Sequence, residues 1–127
     1  MQCTMAKRNT SDDIKIVDIL GSQWTVKYVD DDPAFAQANG YANEAAREIV
    51  IENVKMKNDP LSYDMQSQYN NQKRVLRHEL IHAYLFESGL GASSNGCDAW
   101  AVNEEMVDWF ARTIPKMTET FKELKCL

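Results

Sequence analysis

The sequence predicts an α+β fold: a small antiparallel sheet of three or four strands packed on one long helix, with two further helices at the C-terminal end. Three observations predict it. Segments that are β-branched or alternate polar with apolar residues fill the chain up to residue 52. Beyond residue 62 the apolar period lengthens to about 3.6 residues. Strands precede helices instead of alternating with them, which favours segregated layers over repeated βαβ units. The 127 residues, 44% apolar and 26% charged, have ordinary globular proportions and leave room for one domain, read here as residues 14–127 behind a leader.

That leader, residues 1–13, is polar and mixed and lacks the apolar core of a secretory signal. Residues 14–20 and 23–29 read as two strands joined by Gly21-Ser22, a β-hairpin in which Gly21 supplies the positive φ of a type II′ turn. Asp30-Asp31-Asp32-Pro33 ends the second strand as a solvated turn. Asn39-Gly40-Tyr41-Ala42 turns into a short extended piece, residues 48–52 form a strand, and 43–47 connect the two as a hairpin. Asn58-Asp59-Pro60 marks a loop.

From about residue 62 to 88, Val75, Leu76, Leu80, Ile81, Ala83, Tyr84, Leu85 and Phe86 fall at helical spacings, and Gly89 is placed for a left-handed cap. Apolar residues surround the C-terminal end of this helix, which predicts burial on most of its sides. After a glycine-rich loop, a second helix is expected over 98–112. A third is expected to start at Pro115 and to carry Met117, Phe121 and Leu124 inward.

Fourteen basic and 19 acidic residues give a formal charge of −5, which argues against nucleic acid or an anionic membrane as partner. Cys3, Cys97 and Cys126 are odd in number and contain no C-x-x-C pair, a usage that fits a reducing, cytoplasmic compartment. No apolar run approaches the roughly 18 residues that span a bilayer.

The chemistry is concentrated in His78-Glu79-Leu80-Ile81-His82. These are the only two histidines, and they stand four apart on a predicted helix. Side chains at i and i+4 share a face, so both imidazoles reach one metal ion. Glu79 lies about 100° round from His78 and about 60° from His82, beside the ion without ligating it. A general base for metal-activated water belongs there. The competing reading is a chance arrangement on a core helix, but an unpartnered buried glutamate costs several kcal/mol.

A catalytic zinc needs a third protein ligand. A downstream histidine of the form H-E-x-x-H-x-x-G-x-x-H is excluded, because those positions hold Leu85 and Ser88. Glu104, 22 residues beyond His82, is the preferred ligand, with Asp108 one turn further on to accept the outer ring N–H of a ligating histidine. Glu105 is its main rival, and Cys97 and Asp98 are weaker ones.

H-E-x-x-H followed by Asn103-Glu104-x-x-x-Asp108 resembles the gluzincin zinc metallopeptidases. Leu76 to Tyr84, Glu87-Ser88-Gly89-Leu90, Asp108-Trp109-Phe110-Ala111 and Pro115-Lys116 look like short, phage-related members of the ImmA/IrrE metallopeptidases. This resemblance implies a minimal zincin-like fold and Zn2+ on His78, His82 and Glu104. It further implies Glu79 as base and acid and Asp108 behind His78. The chain lacks the downstream histidine or tyrosine with which larger gluzincins stabilise the oxyanion; Tyr41, Tyr63, Tyr69 and Tyr84 are the available substitutes.

The expected function is therefore zinc-dependent hydrolysis of peptide bonds, with a peptide or protein substrate lying extended along an edge strand. A regulatory protein of a mobile element is the substrate the resemblance suggests. The alternative is a zinc-binding regulatory or interaction module derived from a peptidase, with little turnover. Oligomeric state is not legible in the sequence.

Overall fold

A computed structural model describes residues 14–54, 64–94 and 99–127. The leader, the Asn58-Asp59-Pro60 loop, and the loop positions Cys97 and Asp98 lie outside the described residues. Four strands, β1 (Ile14–Ile19), β2 (Ser22–Val29), β3 (Gly40–Asn43) and β4 (Glu48–Glu52), form one sheet in the order β1-β2-β4-β3. Against one face lies α1 (Met65–Glu87), followed by the short α2 (Leu90–Ser93), a 3-10 turn at Trp100–Val102, and α3 (Glu104–Glu123). The α+β class and the strands-then-helices order are as the sequence predicts.

Both hairpins form, with two differences from expectation. The β1–β2 turn is centred on Leu20-Gly21, both at positive φ (50° and 91°), which is a type I′ turn and not the expected II′ turn at Gly21-Ser22. Pairing Ile19 with Ser22 and Val17 with Trp24 puts Val17, Ile19, Trp24 and Val26 on the buried face. Leu20 takes the strained position, exposed, and the Asp18 carboxylate accepts the Gly21 N–H at 3.0 Å. The second difference is that the sheet is mixed: β2 and β4 run parallel at its centre. The β3–β4 hairpin joins the first through β4, leaving β3 as an outer edge. Which strands of two hairpins meet is a long-range choice that alternation within each strand does not encode.

The core lies between this sheet and α1. Ile19, Trp24, Val26, Ile49 and Ile51 meet Val75 and Ala83 of the helix, each large side chain contributing about 1.5–3 kcal/mol. The Trp24 indole N–H donates to Glu87 Oε1 (2.8 Å), to which Arg47 Nε also donates (2.6 Å), pinning the C-terminal end of α1 to β2 and to the β3–β4 connection. Asp64 caps the other end by accepting the Ser67 N–H at 2.8 Å. Gly89 stops the helix at φ 84°, the left-handed cap predicted for it. Gly40 lets α1 approach β3: a Cβ there would stand 3.0 Å from Val75 Cγ1 and 2.9 Å from the Val50 carbonyl. The aspartates after β2 are used structurally. Asp32 caps a 3-10 turn at Pro33–Ala36 and accepts the Tyr41 hydroxyl at 2.9 Å.

The C-terminal end of α1 is buried or half-buried on most of its sides, as expected, with Tyr84 its exposed position. The rest of the helical half departs further from expectation. The expected 98–112 and Pro115 helices are one continuous helix beginning at Glu104, with Pro115 inside it. Proline has no N–H for the carbonyl four residues back, Ala111. Arg77 Nε of α1 donates to that carbonyl at 2.7 Å, so the helix continues without an orphaned acceptor. Further along, Met117 is half-buried, whereas Phe121 and Leu124, expected inside, are exposed. Among the described residues no helix is long and apolar enough to cross a membrane.

Candidate metal centre

His78 and His82 occupy successive turns of α1 on the side facing the start of α3. Glu104 is the first residue of α3 because Asn103 ends the extended approach there and caps the helix, its side-chain oxygen accepting the Met106 N–H at 2.8 Å. One donor atom from each of His78, His82 and Glu104 falls within 4.8 Å of the others. His78 Nε2 is 3.1 Å from His82 Nε2 and 2.9 Å from Glu104 Oε2, while His82 Nε2 is 3.1 Å from Glu104 Oε1.

The outer ring atoms decide what these inner atoms are. His82 Nδ1 lies 2.7 Å from the Ala101 carbonyl, which only accepts, so Nδ1 carries a proton and, in the neutral form of the ring, Nε2 is left bare on the inward side. His78 Nδ1 faces Asp108 Oδ1 at 3.3 Å, with the same consequence. With both rings neutral, two lone pairs and a carboxylate converge, an arrangement suited to a cation. Zinc bonds of about 2.0–2.1 Å at tetrahedral angles would hold the donor atoms about 3.3 Å apart, close to the observed spacings. A His/His/Glu donor set of this geometry is suited to a divalent metal, and its chemistry to zinc.

No family model, curated protein or solved structure matches this chain. What the site shows by its own geometry is an H-E-x-x-H helix joined by a distal glutamate, consistent with a zincin-type metallopeptidase fold.

Glu79 is 7% exposed and borders the same cavity of about 550 Å³ as both histidines. Its carboxyl is pushed up to about 7, first by burial and then by the Glu104 charge, with His82 acting in the opposite sense. Asp108 is held below the usual carboxylate range: Arg112 Nε donates to Oδ2 at 2.7 Å, and the His78 ring and the Arg74 charge act in the same direction. It therefore stays an acceptor for His78. Glu105, the rival to Glu104, is exposed and takes no part in the cluster. Cys97 and Asp98 lie outside the described residues.

Four contributors were not legible from the motif. Arg74 donates to Asp108 at 2.7 Å, and its place one turn before His78 on the same helix was an available signal. The Phe86 ring stacks on His82 at 5.9 Å. The Ala101 carbonyl is held partly by buried Ser94, whose hydroxyl oxygen accepts the Ala101 N–H at 3.3 Å. A main-chain acceptor of this kind has no sequence signature. Of the tyrosines considered for the oxyanion, Tyr69 and Tyr84 are exposed and Tyr63 lies outside the described residues. Tyr41 borders the cavity, but strand alternation puts its ring on the face opposite Gly40 and Ala42, where Asp32 holds the hydroxyl.

Proposed function

We propose that this protein is a zinc-dependent metallopeptidase. The observation that carries the reading is the convergence of the two inward Nε2 atoms and the Glu104 carboxylate, with buried Glu79 beside them. His78, His82 and Glu104 would hold the ion. Zinc bound there would supply Lewis acidity, lowering the pKa of water and polarising the carbonyl under attack. Glu79 takes the proton of the attacking water and passes it to the leaving amine nitrogen, a shuttle suited to a carboxyl whose affinity for protons burial has raised. Asp108 and the Ala101 carbonyl keep the imidazoles in the ligating tautomer throughout.

The edge strand supports an extended peptide substrate. Glu52 N–H bonds Asn39 O at 2.9 Å, so residues 39, 41 and 43 direct their main-chain groups toward β4. Those of Gly40 and Ala42 point away from it, along the open edge that borders the cavity. An incoming strand would pair there by β-augmentation. In this reading the enzyme is an endopeptidase of the ImmA/IrrE kind, acting in the cytoplasm on a regulatory protein of a mobile element; the likeness of residues 76–116 to that family supports this narrower assignment.

A second reading, a zinc-binding regulatory module with little turnover, is favoured by the commitment of the Tyr41 hydroxyl to Asp32. Elemental analysis and a peptide-library assay of the wild type and Glu79→Gln separate the readings. The peptidase reading expects near-stoichiometric zinc in both and hydrolysis in the wild type alone. Zinc without hydrolysis in either gives the module. Hydrolysis that survives in Glu79→Gln removes Glu79 from its role.

A further inference from the structure

We propose that Arg77 is a positioning residue for the metal centre, clamping α3 through the Ala111 carbonyl that Pro115 leaves without a donor in its own helix. The proposal rests on the metal reading of the site. The donor set is split between two helices: α1 supplies both histidines, whereas α3 supplies Glu104 and, one turn on, Asp108. Glu104 is 71% exposed at the side chain, so few contacts of its own fix where it stands. Its position follows from how α3 is seated on α1.

The contacts between the two helices differ in kind. His78–Glu104, His82–Glu104, His78–Asp108 and Arg74–Asp108 all run through carboxylates of the centre itself and change with whatever ion or proton is bound. Arg77 Nε to Ala111 O, at 2.7 Å and partly buried, does not. A guanidinium keeps its charge at any working pH and a carbonyl does not titrate. Together with the packing of the fully buried Val107 and Ala111, this bond sets the rotation and height of α3 before an ion arrives. Arg77 is also the neighbour of His78 in sequence, so the clamp acts one residue from a ligand, while Ala111 lies about 10 Å along α3 from Glu104 at 1.5 Å per residue.

Pro115 removes the competing donor for this acceptor. An ordinary residue at 115 would give its N–H to the Ala111 carbonyl and compete with the arginine for it, weakening the clamp. Proline within a helix is unfavourable by itself; here it frees one carbonyl, and one side chain from the metal-bearing helix takes it.

The test uses the full chain as wild type, Arg77→Ala, Arg77→Lys, Pro115→Ala and, as a core control remote from α3, Ile49→Val. Co2+ affinity is read by competition with a chromogenic chelator, the visible spectrum of the Co2+ form reports the ligand geometry, and circular dichroism confirms folding. Arg77→Ala should weaken Co2+ binding about ten-fold, as loss of an outer supporting contact does, and alter the spectrum. Arg77→Lys should recover part of both. Ile49→Val should lower the melting temperature and leave affinity and spectrum unchanged. Folded Arg77→Ala with wild-type affinity and spectrum overturns the proposal. Should Arg77→Ala not fold, Pro115→Ala decides: a helix at least as stable with weaker Co2+ binding supports the clamp, and unchanged binding overturns it. A wild type that takes up no Co2+ overturns the metal reading itself, and the proposal with it.

Discussion

Glu79 gives a pH dependence whose size follows from its surroundings. Its carboxyl is buried and titrates near 7 when folded, against an ordinary value of 4.5. The folded chain thus binds this proton more tightly than the unfolded chain. The stability linked to it is fully present below about pH 4.5 and is lost as pH rises through 7. At about 1.4 kcal/mol per pH unit, a gap of roughly 2.5 units amounts to a penalty on the order of 3 kcal/mol by pH 8. Glu79→Gln keeps the shape and removes the ionisation. In the presence of chelator it should match the wild type near pH 4.5 and exceed it by up to about 3 kcal/mol at pH 8, in urea unfolding read by circular dichroism. Adding zinc should narrow the difference, because a cation beside Glu79 favours its ionised form. Parallel stability–pH curves for the two metal-free proteins would refute the argument that burial, and not a pairing charge, governs this carboxyl.

Other outcomes are as specific. Gly40→Ala forces a methyl to within 3.1 Å of Ile51 Cδ1, as well as against Val75 and the rigid Val50 carbonyl, and should cost about 1–3 kcal/mol in thermal or urea unfolding. Asp108→Asn weakens the acceptor for the His78 ring and strips Arg74 and Arg112 of their carboxylate; zinc affinity by chelator competition should fall by roughly 10–100-fold. Trp24→Phe removes the indole donor to Glu87 and should cost about 1–2 kcal/mol, with the loss persisting in zinc-free protein.

What the sequence made legible was whatever local spacing encodes. The i, i+4 histidines had to share a face once α1 was recognised; the start of α3 was not legible, being expected at 98 and lying at Glu104, although Asn103 before two glutamates is a local cap signal. Gly89 as a stop and the two hairpins follow equally from local chemistry. The parallel meeting of β2 with β4 did not, since it depends on which hairpin edge buries more surface. Pro115 misled for a related reason. Proline is a sound marker of a helix start when only its own segment is considered, but Arg77, 38 positions earlier, satisfies the carbonyl and lets the helix run on. The Ala101 carbonyl that orients His82 is a main-chain atom, and any residue could have supplied it.

The unequal exposure of the three donors has a kinetic consequence. His82 is nearly enclosed at 8% side-chain exposure and His78 is 14% exposed, whereas the Glu104 side chain is 71% open. An ion held by these three residues would be freed by the swing of a single carboxylate into solvent, with the two rings still in place. Capture would run the same route in reverse, so small anions able to occupy the vacated position should accelerate exchange, while the equilibrium constant would depend on all three donors.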